Sequence, residues 1–232
     1  MGWIRKLAIW FIHFLNILLK SKFGVNMFEK LIKIDEKEFK KYLNIKGKYL
    51  YKQIYDILLD KNGVNVDYND IKSIIRYDKK LRDVLYIYLA TFEEYIRKII
   101  IDLYDIDGEY DKRKLEKNLI SNKNNENSKL YYCFDLTLNE TIKLMKSKKL
   151  HMNLIADYKM VNKLRNHVMH HSMITCGRSN NFELLKENLN ELKTLIKALA
   201  NSLPHEFKQG FIKEINELKC DVDYFKINLE KN

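Results

Sequence analysis

Three of the chain's six histidines fall in one short segment, Arg165-Asn166-His167-Val168-Met169-His170-His171. Histidine titrates near neutrality, so His170 can take a proton from a ribose 2′-hydroxyl or return one to a leaving oxygen. Arginine is permanently charged and forks onto phosphate oxygens, which suits Arg165 to the charge that builds on a phosphodiester in the transition state. Asn166, one turn before His170, can orient its ring or hold a phosphate oxygen. Five residues of helix turn through ~140°, so Arg165 and His170 converge only if the helix ends there or a second subunit completes the cleft. Two other readings stand beside this one. His167, His170 and His171 are close enough on a helix for a metal to bridge them. No HExxH glutamate, cysteine pair or acidic cluster nearby would complete a zinc shell, so neither a metal nor another cofactor is expected. The purely structural reading is a histidine-rich helix end with satisfied hydrogen bonds.

The elements that must carry this segment all read as helix. One proline and seven glycines in 232 residues leave little punctuation for the turns of an all-β fold. The expected fold class is therefore all-α. Ile155 to His171 forms the motif helix, preceded by one over Leu130 to Met145. Lys79 to Tyr104 is the longest periodic stretch, with Leu81, Val84, Leu85, Tyr88, Leu89, Phe92, Ile96 and Ile99 on one stripe. Asn69 suits the N-cap of a separate short helix through Ile74 and Ile75. Upstream, Tyr49 to Leu59 is closed by Lys61-Asn62-Gly63, and Phe28 to Leu43 is a further helix. Asp105 to Lys129 is the most loop-like region, and Thr175 to Asn180 makes a break. Phe182 to Leu199 is strongly periodic, and Pro204 suits the first turn of a last helix reaching about Leu218.

Forty-two basic against thirty-one acidic residues give a net charge of +11, a surface that attracts RNA, DNA or anionic lipid. A biased genome with merely solvated lysines accounts for the same composition. Cys133, Cys176 and Cys220 are widely spaced with no CxxC pair, which fits a reducing, cytoplasmic compartment. Leu7 to Leu19 is apolar but shorter than the roughly 20 residues a bilayer span needs. It reads as a helix docked on the core or on a partner subunit, with a membrane-interface helix as the minority reading. Met27 could also be the true start, which would make residues 1–26 an artefact.

Arg165-Asn166-xxx-His170-His171 resembles the Arg-Asn-xxx-His-His signature of the Abi-like (abortive infection) proteins, a branch of the HEPN superfamily. Asp78-Lys79-Lys80-Leu81-Arg82, followed by Glu93 and Arg97, resembles the same family's Asp-xx-Leu-Arg … Glu-xxx-Arg helix, and Tyr68 to Ile75 its lead-in. The similarity covers about Asp67 to Ala200. It implies a HEPN-like helical bundle and a homodimer with two motifs facing one cleft. It further implies metal-independent RNA cleavage and a role in phage defence. Carried over, Arg165 and His170 are the catalytic pair, Asn166 and His171 support them, and Asp78, Arg82, Glu93 and Arg97 brace the motif helix. The match departs at Val168-Met169, where the family usually has small residues or Cys-Ala, and at Ser172-Met173, where an arginine often follows. These departures bear on activity and substrate rather than on fold.

The expected organisation is an apolar N-terminal helix over 1–26, a helical extension over 27–66, the HEPN-like core over 67–203, and a C-terminal helix over 204–232 packed on that core. The function expected is an endoribonuclease, held in check by an inhibitor RNA or protein partner. The alternative is a non-catalytic basic helical module that binds RNA or a partner protein.

Overall fold

The computed structural model describes residues 47–63, 66–107, 136–170 and 173–229. The N-terminal apolar helix, the helix over Phe28 to Leu43 and most of the loop-like region therefore lie outside the described residues, as do His171 and Ser172. Within them the protein is all-helical. The helices are α1 (Lys48–Asn62), α2 (Tyr68–Asp107), α3 (Leu138–Ser147), α4 (Ile155–Met169), α5 (Phe182–Ser202) and α6 (His205–Glu217), followed by a 3-10 turn over Asp223–Phe225. No strand occurs among the described residues. No helix among them is long and apolar enough to cross a membrane.

The chain divides into two compact units, Met1–Ile74 with Arg178–Leu185, and Ile75–Gly177 with Lys186–Asn232. In the first, Tyr51, Ile54, Ile57 and Leu58 of α1 are buried, as are Tyr68, Ile71 and Ile74 of α2. Tyr51 and Tyr68 stack, with ring centroids 6.4 Å apart. The 178–185 segment is tied to α1 by polar contacts. Gln53 Nε2 donates to the Ser179 carbonyl at 2.7 Å, and the Phe182 amide donates to Asp60 Oδ2 at 2.9 Å. The latter bond gives the first turn of α5 a carboxylate acceptor for an amide the helix itself cannot satisfy. Gly63, at φ 74, ends α1 where the Lys61-Asn62-Gly63 turn is expected.

In the second unit most of the stripe expected on α2 is buried, Leu81, Leu85, Leu89, Phe92 and Ile96 fully so. Val84 and Ile99 at its edges are half-buried, and Ile100 is buried beyond Ile96. Phe92 meets Tyr158 of α4 edge-on at 5.2 Å, and Tyr88 meets Phe211 of α6 at 4.8 Å. The Tyr88 hydroxyl also donates to Glu214 at 2.9 Å. Burying a large aromatic side chain contributes about 1.5–3 kcal/mol, so these contacts do much to hold α4 and α6 on α2.

Three expectations about boundaries are corrected. The short helix through Ile75 and the long one from Lys79 are a single forty-residue helix. Residues 76–80 carry no glycine or proline to break it, and the Asp78 carboxylate is bonded to Arg82 one turn on. The start of that helix is not capped by Asn69. Asp67 Oδ1 accepts the Asn69 amide at 2.9 Å, so the capping side chain stands two residues earlier. The helix expected from Leu130 starts only at Leu138, because Thr137 caps it there and Leu136 lies outside it. The remaining boundaries fall within a few residues of expectation, with Pro204 at the N-cap of α6.

Candidate active site

The motif helix α4 buries Ile155, Tyr158, Val161, Leu164 and Val168, a spacing that turns Lys163, Asn166 and His167 outward. Asp157 in its first turn and His167 in its last complement the helix dipole. Lys163 is bonded to Glu191 of α5. That bond, helped by the nearby His167, holds the Glu191 carboxyl below its usual range.

Arg165 lies at the edge of the buried face. Its Nε donates to Glu93 Oε1 at 3.3 Å, and Glu93 Oε2 takes Arg97 Nη2 at 3.4 Å. Glu93 is the less exposed partner, its side chain 15% accessible against 39% for Arg165. One carboxylate thus faces two guanidinium groups, and local charge stays positive. Of the five N–H donors Arg165 carries, this contact uses one. The rest of its fork is suited to a phosphate.

Asp78 and Arg82 form a second brace. Arg82 Nε donates to Asp78 Oδ2 at 2.9 Å, while Asp78 Oδ1 accepts from both the amide and the hydroxyl of Thr175, each at 2.9 Å. Asp78 and Thr175 are both fully buried. Fifteen residues separate Asp78 from Glu93, about 22 Å along α2. The two braces are therefore distinct. One holds the motif segment at Arg165, before His170, and the other holds it at Thr175, after it.

Two residues that sequence reasoning did not single out complete the second brace. Asn188 of α5 donates through Nδ2 to the carbonyls of Ile174 and Thr175, at 3.0 and 2.8 Å. Gly177, at φ 54, lies so close to Asn188 that a Cβ would collide with its amide. Only the break at Thr175 to Asn180 hinted at this arrangement, through carbonyls that a turn leaves without helical partners. Cys176, buried beside Asp78, has its thiol pushed up to about 12 by that burial, which leaves it unreactive.

His170 is exposed at the C-cap of α4, with φ −77 and ψ 2, and its amide bonds the Asn166 carbonyl. Asn166 thus meets His170 through the backbone, and its side chain is exposed. Because the helix runs through Met169, Arg165 and His170 lie ~140° apart around its axis. Arg165, Glu93 and Arg97 come together; His170 is not in that group. His171 lies outside the described residues. Among the described residues no three His, Cys, Asp or Glu side chains are grouped to hold a metal ion. No family model, no curated protein and no solved structure matches the chain.

Proposed function

We propose that the protein is a cytoplasmic, metal-independent endoribonuclease of the HEPN type that acts in phage defence. The observation that carries this reading is the double bracing of the motif segment. The two stretches that resemble the family in sequence meet at Glu93–Arg165, and the first of them also holds Thr175, four residues past the motif, through Asp78. The segment between is held at both ends with His170 left accessible.

In this reaction the RNA 2′-hydroxyl attacks the neighbouring phosphorus as its proton passes to a histidine. A pentacoordinate, phosphorane-like centre forms, its charge met by the free part of the Arg165 fork. The P–O bond to the 5′-oxygen breaks, that oxygen takes a proton, and a 2′,3′-cyclic phosphate remains. Removal and donation of protons fall on opposite sides of the phosphorus. Arg165 and His170 of one chain point ~140° apart, so the reaction calls for a homodimer in which each motif supplies groups to a shared cleft. Isologous pairing of this kind is the commonest oligomeric solution.

The test is cleavage of mixed RNAs by the full chain in EDTA, with end analysis of the products. His170→Ala and Arg165→Ala are expected to lose roughly 100- to 10,000-fold in rate while keeping fold and most RNA affinity, because binding is spread over many lysines. Asn166→Ala should be milder. Activity that vanishes with chelator and returns with zinc or manganese defeats the proposal, and so does full activity in His170→Ala. RNA binding by the wild type with no cleavage at any protein concentration replaces it with a non-catalytic RNA-binding module.

A further inference from the structure

The motif segment has little freedom in where it can run. Its two braces take hold of α2 at Glu93 and Asp78, about 22 Å apart along the axis. On the segment itself, Arg165 and Thr175 are separated by ten residues. As far as Met169 these are helical and rise only about 1.5 Å each. The rest can extend by no more than about 3.6 Å each. Their combined reach, roughly 25 Å, is little more than the interval between the braces. Beyond the length of the Arg165 side chain there is no slack for the segment to loop away. It must run back along α2 in the opposite sense, which brings His170, halfway along it, toward the middle of the Asp78–Glu93 interval.

Tyr86 stands in the middle of that interval on α2. Arg82, Tyr86, Ala90 and Glu93 succeed one another at spacings of four, four and three, and so share one side of the helix. Arg82 and Glu93 belong to the two braces, so this is the side that meets the motif segment. The Tyr86 ring is 55% exposed, and among the described residues no hydrogen bond or ring contact ties it down. Its neighbours one turn away leave it open. Ala90 is too short to cover the ring, and Arg82 is drawn to Asp78. An uncovered aromatic face beside an exposed histidine and the outer part of the Arg165 fork fits a flat base next to a phosphodiester. Stacking of this kind needs only a π-face, and it needs a base that a duplex has not already stacked on both sides.

We infer, building on the ribonuclease reading, that Tyr86 is the stacking platform for the unpaired base beside the scissile phosphate, so that the site takes single-stranded RNA. Tyr86 moves no proton. It holds the nucleotide before and during the reaction alike, and its loss is therefore felt in KM rather than in kcat.

The test uses a short single-stranded RNA, the same RNA annealed to its complement, and copies with an abasic ribose in turn on either side of the cleaved bond. An abasic ribose keeps its 2′-hydroxyl, so the chemistry is untouched. The wild type should cleave the single strand and spare the duplex. Tyr86→Ala should raise KM on the single strand roughly 5- to 150-fold, the range expected for one lost base stack. Its circular dichroism and melting temperature should stay at the wild-type values, and Tyr86→Phe and Tyr86→Trp should restore KM. One abasic RNA should cost the wild type as much, and Tyr86→Ala should add nothing further on that RNA, a coupling that a merely structural role would not produce. Fluorescence anisotropy with His170→Ala and His170→Ala/Tyr86→Ala repeats the comparison without cleavage. A wild type that never cleaves, with the Tyr86 effect on affinity intact, sinks the ribonuclease reading and leaves the stacking platform standing. Cleavage with an unchanged KM in Tyr86→Ala sinks the platform alone. So does a duplex cleaved as fast as the single strand, or a Tyr86→Phe protein as impaired as Tyr86→Ala. Conversion of a dimer to monomers by Tyr86→Ala in light scattering also overturns it, because the ring would then belong to a contact between copies of the chain.

Discussion

At the scale of single residues, Asp78 is the most heavily committed side chain of the site. Its carboxylate is fully buried and receives Arg82 Nε, the Thr175 amide and the Thr175 hydroxyl. Asp78→Ala would leave a guanidinium that is only 13% exposed without its counter-charge, together with two donors that have no acceptor. Breaking such a pair by removing one partner costs about 3–5 kcal/mol. Urea unfolding should show a loss of that order, and a loss under about 1 kcal/mol would mean that water or a neighbouring group takes over the acceptor role. The sequence motif pointed to Asp78 and Glu93 as braces, yet half of each brace was invisible in it. Thr175 lies 97 residues from Asp78, and Glu93 reaches Arg165 across 72. No local pattern encodes which distant backbone amide a carboxylate will find. The carbonyls that Asn188 caps are equally silent, because an Asn in a periodic helix reads as an ordinary surface residue.

At the scale of elements, local signals were legible where they were complete and misleading where tertiary contacts intervened. The centre of the buried stripe of α2 is the one its periodicity gives, since burial is what that periodicity records, and only Val84 and Ile99 at its edges stay half-buried. The region expected as a short helix through Ile75 and a long one from Lys79 is a single helix, in which Asp78 is paired with Arg82 one turn on. The start of α3 at Leu138 is set by a local sequence signal. Thr137 and Glu140 form a capping box, with Glu140 Oε2 accepting the Thr137 amide at 2.9 Å and Thr137 Oγ1 accepting the Glu140 amide at 3.3 Å. The link from α4 to α5 is most sensitive at Gly177. Gly177→Ala must hold a left-handed φ of 54 and displace Asn188 from the carbonyls it caps. A destabilisation of about 1–3 kcal/mol is expected. Thermal melting checks it, and an unchanged melting temperature would show that Asn188 can release its carbonyls at no cost.

At the scale of the whole molecule, buried tyrosines set an alkaline limit. Burial pushes the Tyr77 hydroxyl from its ordinary 10.0 to about 12, partly offset by the bond from the Ile227 amide, and burial raises Tyr158 as well. A folded-state value above the unfolded one means that the folded protein keeps a proton the unfolded chain releases. This stabilisation is fully present below pH 10 and is lost as pH rises toward about 12. Helix content and tyrosinate absorbance should be followed together as pH rises past 10. A last group should then ionise as the helices melt. Complete ionisation with full helix content would contradict this. The all-helical class was legible because scarce glycine and proline leave helices as the default. A dimer, by contrast, was inferred from chemistry and resemblance. It is expected to appear in light scattering at micromolar concentration, with a monomer as the opposing result. The Tyr224 to Leu229 strap has a consequence of its own. It belongs to no α-helix, and backbone outside regular structure ordinarily trades its amide hydrogens with solvent quickly. The amides of Ile227 and Leu229 are instead donated to Tyr77 and Asn216, side chains of α2 and α6. In deuterated buffer they should therefore exchange as slowly as core-helix amides, through global rather than local opening, so the strap reports the stability of the bundle that holds it.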